Sequence, residues 1–133
     1  MPLLNSQNGE SIEFSEFEKV DIRVGTITHV EKNLDAIKPA FKVLINFGNE
    51  IGERKTSAQL TKNYTPEDLL GRQVAGVINF PPKQIGKFMS EVLILGFPDS
   101  NGNVVLISPD KVIQELKFCL YFRVANRFRI NTD

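Results

Sequence analysis

Two lysines follow a pair of prolines in the segment NFPPKQIGKFMSEVLILG, which covers residues 79–96. The ammonium groups of Lys83 and Lys87 are hydrogen-bond donors that bind phosphate oxygens and other anions. Pro81 and Pro82 fix φ and lack a backbone N–H, so they end the preceding strand and stiffen the loop. The loop is either a pre-organised anion-binding element, or a loop with solvated lysines in which the prolines only block edge pairing.

Neutral polar residues and a glycine accompany these lysines. Asn79 and Ser90 bracket the loop, and their amide and hydroxyl groups can bond phosphate, sugar or backbone. Gly86 permits a positive φ or the close approach of another segment. Phe88 and Tyr64 are candidate stacking platforms, with core or dimer packing as the first interpretation of Phe88.

The sequence contains no recognisable machinery for catalysis or metal binding. It has a single cysteine, Cys119, and a single histidine, His29, so we expect neither an internal disulfide nor a zinc site. It also lacks a glycine-rich phosphate loop and a Gly-x-Ser-x-Gly elbow. A hydrolase built from scattered polar groups has no motif in its favour. We therefore expect a protein that is not an enzyme and that has no cofactor.

The 133 residues predict one domain, and the charges are unevenly distributed along it. Sixteen basic and sixteen acidic side chains give no net charge, which by itself argues against a nucleic-acid partner. However, residues 22–62 hold seven bases and four acids, whereas residues 1–21 hold one base and five acids. A neutral total can therefore hide a basic face. No signal-peptide or membrane-span pattern occurs, so we expect a cytoplasmic protein without membrane insertion.

Period-two alternation of apolar residues dominates the chain and predicts an all-β fold. Gly25 and the change of phase at Ile27 predict a bulge or bend in the first strand. Phe41, Phe47 and Phe80 lie in the apolar phase and are predicted core residues. The predicted strands cover residues 20–30, 40–48, 53–59, 72–80, 90–97 and 103–108.

A short helix is predicted between the third and fourth strands. Thr65 is a suitable N-cap, Pro66 suits the first helical position, and Asp68 completes a capping box. Gly71 can end the helix. Five or six short strands with a helix at this place predict a small closed barrel of the OB-fold type, here with five strands and a C-terminal extension.

Four strings in the sequence resemble the tRNA-binding domain family: FEKVDIRVGTI, KPAFKVLINFG, TSAQLT and GRQVAGVINFPPKQIGKFMSEVLILG. They are most similar to its free-standing CsaA branch, described as export-related chaperones. The resemblance covers residues 14–110. It implies an OB-fold homodimer that binds tRNA or tRNA-like RNA on a basic face, and a chaperone role toward unfolded export precursors and the export machinery. Alternatively, the protein is primarily a secretion chaperone whose RNA binding is incidental.

The resemblance also implies which residues form the RNA-binding surface. The polar residues of the matching strands alternate outward from apolar Ile22, Val43 and Ile78, which agrees with such a surface. By matching position, the implied RNA-binding residues are Arg23, Lys42, Lys55, Ser57, Gln59, Asn79, Lys83, Lys87 and Ser90.

The two ends of the chain are interpreted separately. Residues 1–13 form an N-terminal arm, and apolar Ile12, Phe14 and Phe17 are the predicted dimer contacts. Ser15 and Glu18 are predicted to form a capping box that presents Phe17 on a short turn.

Residues 111–133 depart from the family pattern. The segment is either a helix that begins near Ser108 and Pro109, with an apolar stripe, or a strand over residues 118–124. Arg123, Arg127 and Arg129 either extend the RNA surface or form a solvated basic tail.

Overall fold

Alternating apolar and polar residues build the longest strands of the computed structural model, which describes residues 10–113 and 120–121. Two short helices accompany ten strands in these segments. The helices are α1 (Phe14–Glu18) and α2 (Pro66–Leu69). The strands are β1 (Ile22–Lys32), β2 (Phe41–Asn46), β3 (Glu53–Ala58), β4 (Gln73–Val77), β5 (Lys83–Ile85), β6 (Phe88–Ser90), β7 (Leu93–Ile94), β8 (Gly96–Pro98), β9 (Val104–Leu106) and β10 (Leu120–Tyr121).

The main sheet is antiparallel and has the strand order β3-β2-β1-β4-β7, with β10 also paired to β1. Two hairpins, β5–β6 and β8–β9, form separate two-stranded sheets. The sheet curls until the backbone N–H of Glu91 donates to the carbonyl of Lys55 in β3 at 2.8 Å. This contact nearly closes a five-stranded barrel, and the predicted OB-fold is confirmed.

The first strand bends as predicted, although three residues later than Gly25. The register between β1 and β2 shifts between Ile27 and His29, which marks a β-bulge. Gly25 has a different role, because a Cβ at this position would lie 2.5 Å from the Cγ2 of Ile45 and 2.8 Å from the ring of Phe47. Gly25 therefore lets β1 pack closely on the core.

The barrel interior holds the hydrophobic core. Phe41 and Phe47 are buried there, as predicted. The prediction for Phe80 is wrong, because its side chain is 55% exposed. β4 ends at Val77, and the chain turns away from the core before the prolines. The largest fully buried side chains are those of Ile27, Val43, Ile45, Phe47, Leu69 and Val74.

The capping prediction is confirmed for α2. The Oγ1 of Thr65 accepts a hydrogen bond of 3.1 Å from the backbone N–H of Asp68, whose carboxylate accepts one of 2.9 Å in return. In α1 the prediction is wrong by two residues. The capping box there joins Glu13 and Glu16 instead of Ser15 and Glu18, because the helix already begins at Phe14.

The structure contradicts one of the two interpretations of the C-terminal region, the helix that begins near Ser108. Residues 108–113 contain no helix, which excludes a helix beginning at Ser108. Both polar atoms of the buried Gln73 amide bond the backbone of Ile113, at 2.7 and 2.9 Å. β10 pairs antiparallel with β1, and its two residues, Leu120 and Tyr121, lie within the range of the strand alternative. Arg123, Arg127, Arg129 and Cys119 lie outside the described residues.

No helix within residues 10–113 has the length and apolar composition needed to cross a membrane.

Candidate nucleic-acid interface

The proline-broken loop of the sequence forms the β5–β6 hairpin. Lys83 pairs with Ser90 across it, and Ile85 pairs with Phe88. Directly opposed residues share one face of an antiparallel pair, so these four side chains lie on the same face of the hairpin. Lys83 and Lys87 are both exposed. The hairpin therefore presents its cations on an ordered scaffold, and their exposure fits both the anion-binding interpretation and that of solvated lysines.

The hairpin is attached to the barrel at its base. The backbone N–H of Ser57 in β3 donates a hydrogen bond of 2.8 Å to the Oγ of Ser90. Just beyond the hairpin, the carboxylate of Glu91 accepts a bond of 3.0 Å from the backbone N–H of Lys55. β6 and β3 belong to different sheets, and these bonds hold the two strands side by side.

The tip of the hairpin packs against the loop between β1 and β2. Gly86 has a φ of 65°, and a Cβ there would lie 2.7 Å from the carbonyl oxygen of Asp35. The backbone N–H of Asp35 is held by the side-chain oxygen of Asn33 at 3.1 Å. Gly86 thus has both the positive φ and the close approach that the sequence predicts.

Strand register aligns polar side chains from hairpin to barrel. Lys83 lies opposite Ser90, Ser90 bonds Ser57, and Ser57 lies opposite Lys42. The Oγ of Ser57 accepts a bond of 2.9 Å from the amide of Asn33. Each serine accepts one hydrogen bond and still carries an O–H donor. We call Lys42, Lys55, Ser57, Lys83, Lys87 and Ser90 the lysine face.

An aromatic ring lies within the lysine face. The Nζ of Lys42 is 5.3 Å from the centroid of the Phe88 ring, and the Nζ of Lys55 is 5.0 Å from it. Both distances are within the range of cation–π attraction, which is worth about 0.5–1 kcal/mol at exposed sites. Three elements, β2, β3 and β6, therefore meet in one cluster of two ammonium groups and one ring.

Comparison with known proteins agrees with this architecture. The family model described as "Putative tRNA binding domain" matches residues 22–115. The chain belongs to the tRNA-binding domain family.

Two solved structures are similar to the chain over their whole length. Chaperone CsaA from Bacillus anthracis has 43% sequence identity and a TM-score of 0.77, with 86% of this chain and 100% of that chain covered. CsaA from Picrophilus torridus has 43% identity and a TM-score of 0.76, with 85% and 100% covered. These matches relate the chain to the free-standing CsaA branch and bear out the barrel fold.

Curated relatives carry the same domain within longer proteins. The methionine–tRNA ligase of Porphyromonas gingivalis is 37% identical over 101 residues, which cover 75% of this chain and 14% of the ligase. The ligase of Methanocaldococcus jannaschii is 34% identical over 105 residues, which cover 79% of this chain and 16% of the ligase. The chain thus spans only about one-seventh of the length of these relatives, and the match reaches no further part of the ligases.

Three residues that the tRNA-binding domain resemblance implies lie outside the lysine face. The guanidinium of Arg23 bonds the carboxylate of Asp21 at 2.7 and 3.1 Å and that of Glu50 at 3.3 Å. The amide of Asn79 accepts from the N–H of Asp21 at 3.0 Å and donates to the carbonyl of Lys19 at 2.7 Å. Both side chains thus join local structure at the start of β1.

Gln59 is the third such residue. It follows β3 and lines a separate depression of about 210 Å³, together with Lys38 and Lys62. Strand register, hydrogen bonds and ring contacts therefore bring together five of the nine implied residues, namely Lys42, Lys55, Ser57, Lys83 and Ser90, and Lys87 lies at the tip of the same hairpin. Arg23, Asn79 and Gln59 lie apart from the lysine face.

Sequence reasoning did not assign the residues that border the lysine face. Asn33 and Glu91 orient it through the hydrogen bonds to Ser57 and Lys55. Glu31 lies opposite Lys42 across β1 and β2. The hydrogen bond from His29, at 3.0 Å, lowers the pKa of the Glu31 carboxyl, and the charge of Lys42 lowers it further. The bond from Asn33 to Ser57 joins residues 24 positions apart, and the bond from Lys55 to Glu91 joins residues 36 positions apart. No local sequence pattern indicates such contacts.

Within residues 10–113, no three His, Cys, Asp or Glu side chains come together as metal ligands.

Of the predicted dimer contacts, Ile12 is 65% exposed, whereas Phe14 and Phe17 are half-buried with ring centroids 6.3 Å apart.

Tyr64, the other candidate stacking platform, makes a contact within the fold. Its hydroxyl accepts a hydrogen bond of 3.0 Å from the backbone N–H of Leu106.

Proposed function

We propose that this protein binds tRNA or a similarly structured RNA through the lysine face, without catalysing a reaction. The observation that carries the proposal is the aligned row of Lys83, Ser90, Ser57 and Lys42, which runs from the hairpin onto the barrel. Ammonium and hydroxyl donors in this order match the phosphate and sugar oxygens of a nucleic-acid backbone.

Charge distribution supports the same partner. The whole chain has no net charge, but charges separated by more than a Debye length of about 8–10 Å are largely screened. The four lysines of the face therefore act on a bound backbone locally. Phosphate and 2′-hydroxyl contacts recognise the shape of a folded RNA without reading its sequence, as expected for a domain that binds tRNA.

The test compares salt dependence of tRNA binding in wild type and in Lys83→Ala with Lys87→Ala. If both lysines contact phosphates, the slope of log K against log salt falls in magnitude by about 1.4, at roughly 0.7 per phosphate. Lys19→Ala with Lys111→Ala is the matched control, because both residues are exposed and lie outside the lysine face. Equal slopes for wild type and the hairpin variant would remove the hairpin from the RNA site.

A chaperone role toward unfolded export precursors is the second candidate. Leu34 and Ile37 in the β1–β2 loop are 87% and 102% exposed and border a groove of about 570 Å³, which Phe41, Tyr64 and Pro66 also line. Exposed apolar groups beside a groove are suited to an extended apolar chain.

The two candidates separate experimentally. Under the chaperone hypothesis, RNA-free protein suppresses aggregation of an unfolded precursor, and Leu34→Ser with Ile37→Ser abolishes that suppression at unchanged tRNA affinity. If RNA binding is incidental to secretion, Lys83→Ala with Lys87→Ala leaves the suppression intact. The same assay with purified export components tests whether they are partners.

We further propose a cytoplasmic homodimer in which Ile12, Phe14 and Phe17 contact the second copy. The exposure of Ile12 beside two half-buried rings supports this surface. Light scattering of wild type and Phe14→Asp tests it, because a charge placed in an apolar contact weakens association. A monomer mass for wild type at micromolar concentration would reject the dimer.

A further inference from the structure

Phe88 is an aromatic side chain that lies outside the hydrophobic core. It is half-buried on β6, and the core cluster and the residues packed against it do not include it. Its ring is approached instead by two ammonium groups, those of Lys42 and Lys55. The hydrophobic core therefore does not account for this ring, which lies on the hairpin beside two cations of the barrel strands.

We infer that Phe88 is the stacking platform for one unpaired nucleobase of the bound RNA. The inference rests on the proposed function and names a base-binding residue within it. Every nucleobase has a π-face, so an aromatic ring in a cationic groove accepts an unstacked base with little sequence preference. RNA-binding proteins commonly take the splayed bases of loops and ends in this way.

The two lysines are placed to bind the phosphates on either side of that base. Lys42 lies opposite Ser57, which is two residues from Lys55, so Lys42 and Lys55 project from the same face of the sheet. The attraction between a surface lysine and an aromatic ring is weak, and the stacking of a base on the ring is stronger. An incoming nucleotide therefore exchanges the contacts: its phosphates take the ammonium groups, and its base takes the ring.

The same geometry disfavours an apolar peptide side chain on Phe88. Such a group would displace or desolvate two ammonium groups and would offer them no acceptor, which is unfavourable. A nucleotide supplies both a flat apolar surface and anionic oxygens. The charges around the ring thus select a nucleotide over an apolar chain.

The platform is pre-organised before RNA arrives. The hydrogen bond from Ser57 fixes Ser90, two residues after Phe88. On the other side, Gly86 packs against Asp35. Because both ends of β6 are held, little ordering is needed on binding, which favours affinity.

Among the described residues, the exposed rings of Phe80 and Phe97 and the ring of Tyr64 differ from Phe88 in their surroundings. Phe80 and Phe97 are 55% and 66% exposed, and the cation–ring contacts among residues 10–113 involve only Phe88 and Tyr64. Tyr64 is packed against the core and bonded to Leu106, which commits it to the fold.

The test uses Phe88→Trp in the 133-residue chain, which otherwise contains no tryptophan. We expect tRNA to quench the indole emission strongly, whereas heparin, a polyanion without bases, quenches it little. Phe97→Trp is the matched control and keeps its emission with either ligand. In addition, Phe88→Ala weakens tRNA binding by about five- to 150-fold at fixed salt, the range for loss of one stacked base. Its salt slope and its heparin affinity stay as in wild type.

The outcomes separate this inference from the proposed function. One outcome rejects the stacking platform and leaves RNA binding standing. In that outcome tRNA does not quench the emission of Phe88→Trp, and Phe88→Ala binds tRNA with the affinity and the salt slope of wild type. If wild type binds no tRNA, both fail. Quenching of Phe88→Trp by an unfolded peptide alone also overturns the inference. Circular dichroism confirms folding of each variant, and the tryptophan readout remains decisive if Phe88→Ala does not fold.

Discussion

The backbone N–H of Ser57 donates a 2.8 Å hydrogen bond to the side-chain oxygen of Ser90, 33 residues further along the chain. In a regular sheet that N–H would bond a backbone carbonyl. Here the hydroxyl of Ser90 substitutes for the carbonyl and joins the β5–β6 hairpin to the barrel. The bond links a structural amide to the surface that we propose for RNA, so its loss has consequences for both.

We predict that Ser90→Ala lowers the free energy of unfolding by about 1 kcal/mol, because the partly buried N–H of Ser57 loses its acceptor. Amide hydrogen exchange at Ser57 should become faster, and tRNA affinity should fall as the hairpin loosens. Ser90→Thr keeps the hydroxyl and serves as control. Unchanged exchange at Ser57 in the alanine variant would show that the bond does not hold the hairpin.

Arg23 provides a second prediction, since it is an implied RNA ligand whose guanidinium already bonds Asp21 and Glu50. Only 15% of its side chain is exposed. Because these charge-assisted bonds are worth about 1.5–3 kcal/mol, we expect Arg23→Gln to lower stability by about that much and to leave the salt slope of tRNA binding unchanged. Lys55→Ala should do the opposite, reducing the slope by about 0.7 with little effect on folding. A reduced slope for Arg23→Gln would return Arg23 to the site.

Many elements of the barrel can be predicted from local sequence patterns. Alternation in residues 40–48 predicts β2, and the order Thr65, Pro66, Asp68 predicts α2 with its cap. Both depend only on neighbouring residues, so they are legible without knowledge of the rest of the chain. The proline pair likewise predicts a rigid cationic element after the strand, although β4 ends at Val77, three residues before the predicted end at Phe80.

What the sequence could not show depends on distant contacts. From the sequence, Arg23 is a plausible RNA ligand. In the fold its guanidinium bonds Glu50, which lies 27 residues further along the chain, so no local pattern indicates that contact. The predicted strand over residues 90–97 is divided into β6, β7 and β8, because Glu91 turns to bond β3. Phe80 carries the apolar signal of β4, yet it lies beyond the point where the strand leaves the core.

A third prediction concerns acid. Backbone N–H donation from Asn103 lowers the pKa of the Asp99 carboxyl, and bonds from the Asn63 amide and from Asn101 lower it further. The folded pKa is below that of the unfolded chain, about 3.9, so this stabilisation is fully present above that pH and is lost as the pH falls toward the folded pKa. Asp99→Asn should therefore be less stable than wild type at pH 7, and the difference should shrink below about pH 4. Urea titrations from pH 3 to 7 measure it; a constant difference would contradict the prediction.

The final prediction compares two glycines with similar backbone angles. Gly86 and Gly102 have φ values of 65° and 82°, so alanine at either position costs about 1–2 kcal/mol in the left-handed region. Their surroundings differ. A Cβ at Gly102 meets nothing within 4 Å, whereas at Gly86 it would lie 2.7 Å from the Asp35 carbonyl oxygen, which belongs to the backbone and cannot rotate away. Gly86→Ala must therefore move the hairpin tip or the β1–β2 loop.

We expect Gly86→Ala to lose more stability than Gly102→Ala in urea titration and to weaken tRNA binding, since Lys87 and Phe88 follow directly in the chain. Gly102→Ala should bind tRNA as wild type does. Equal tRNA affinities for the two variants would mean that the contact with Asp35 does not position the lysine face.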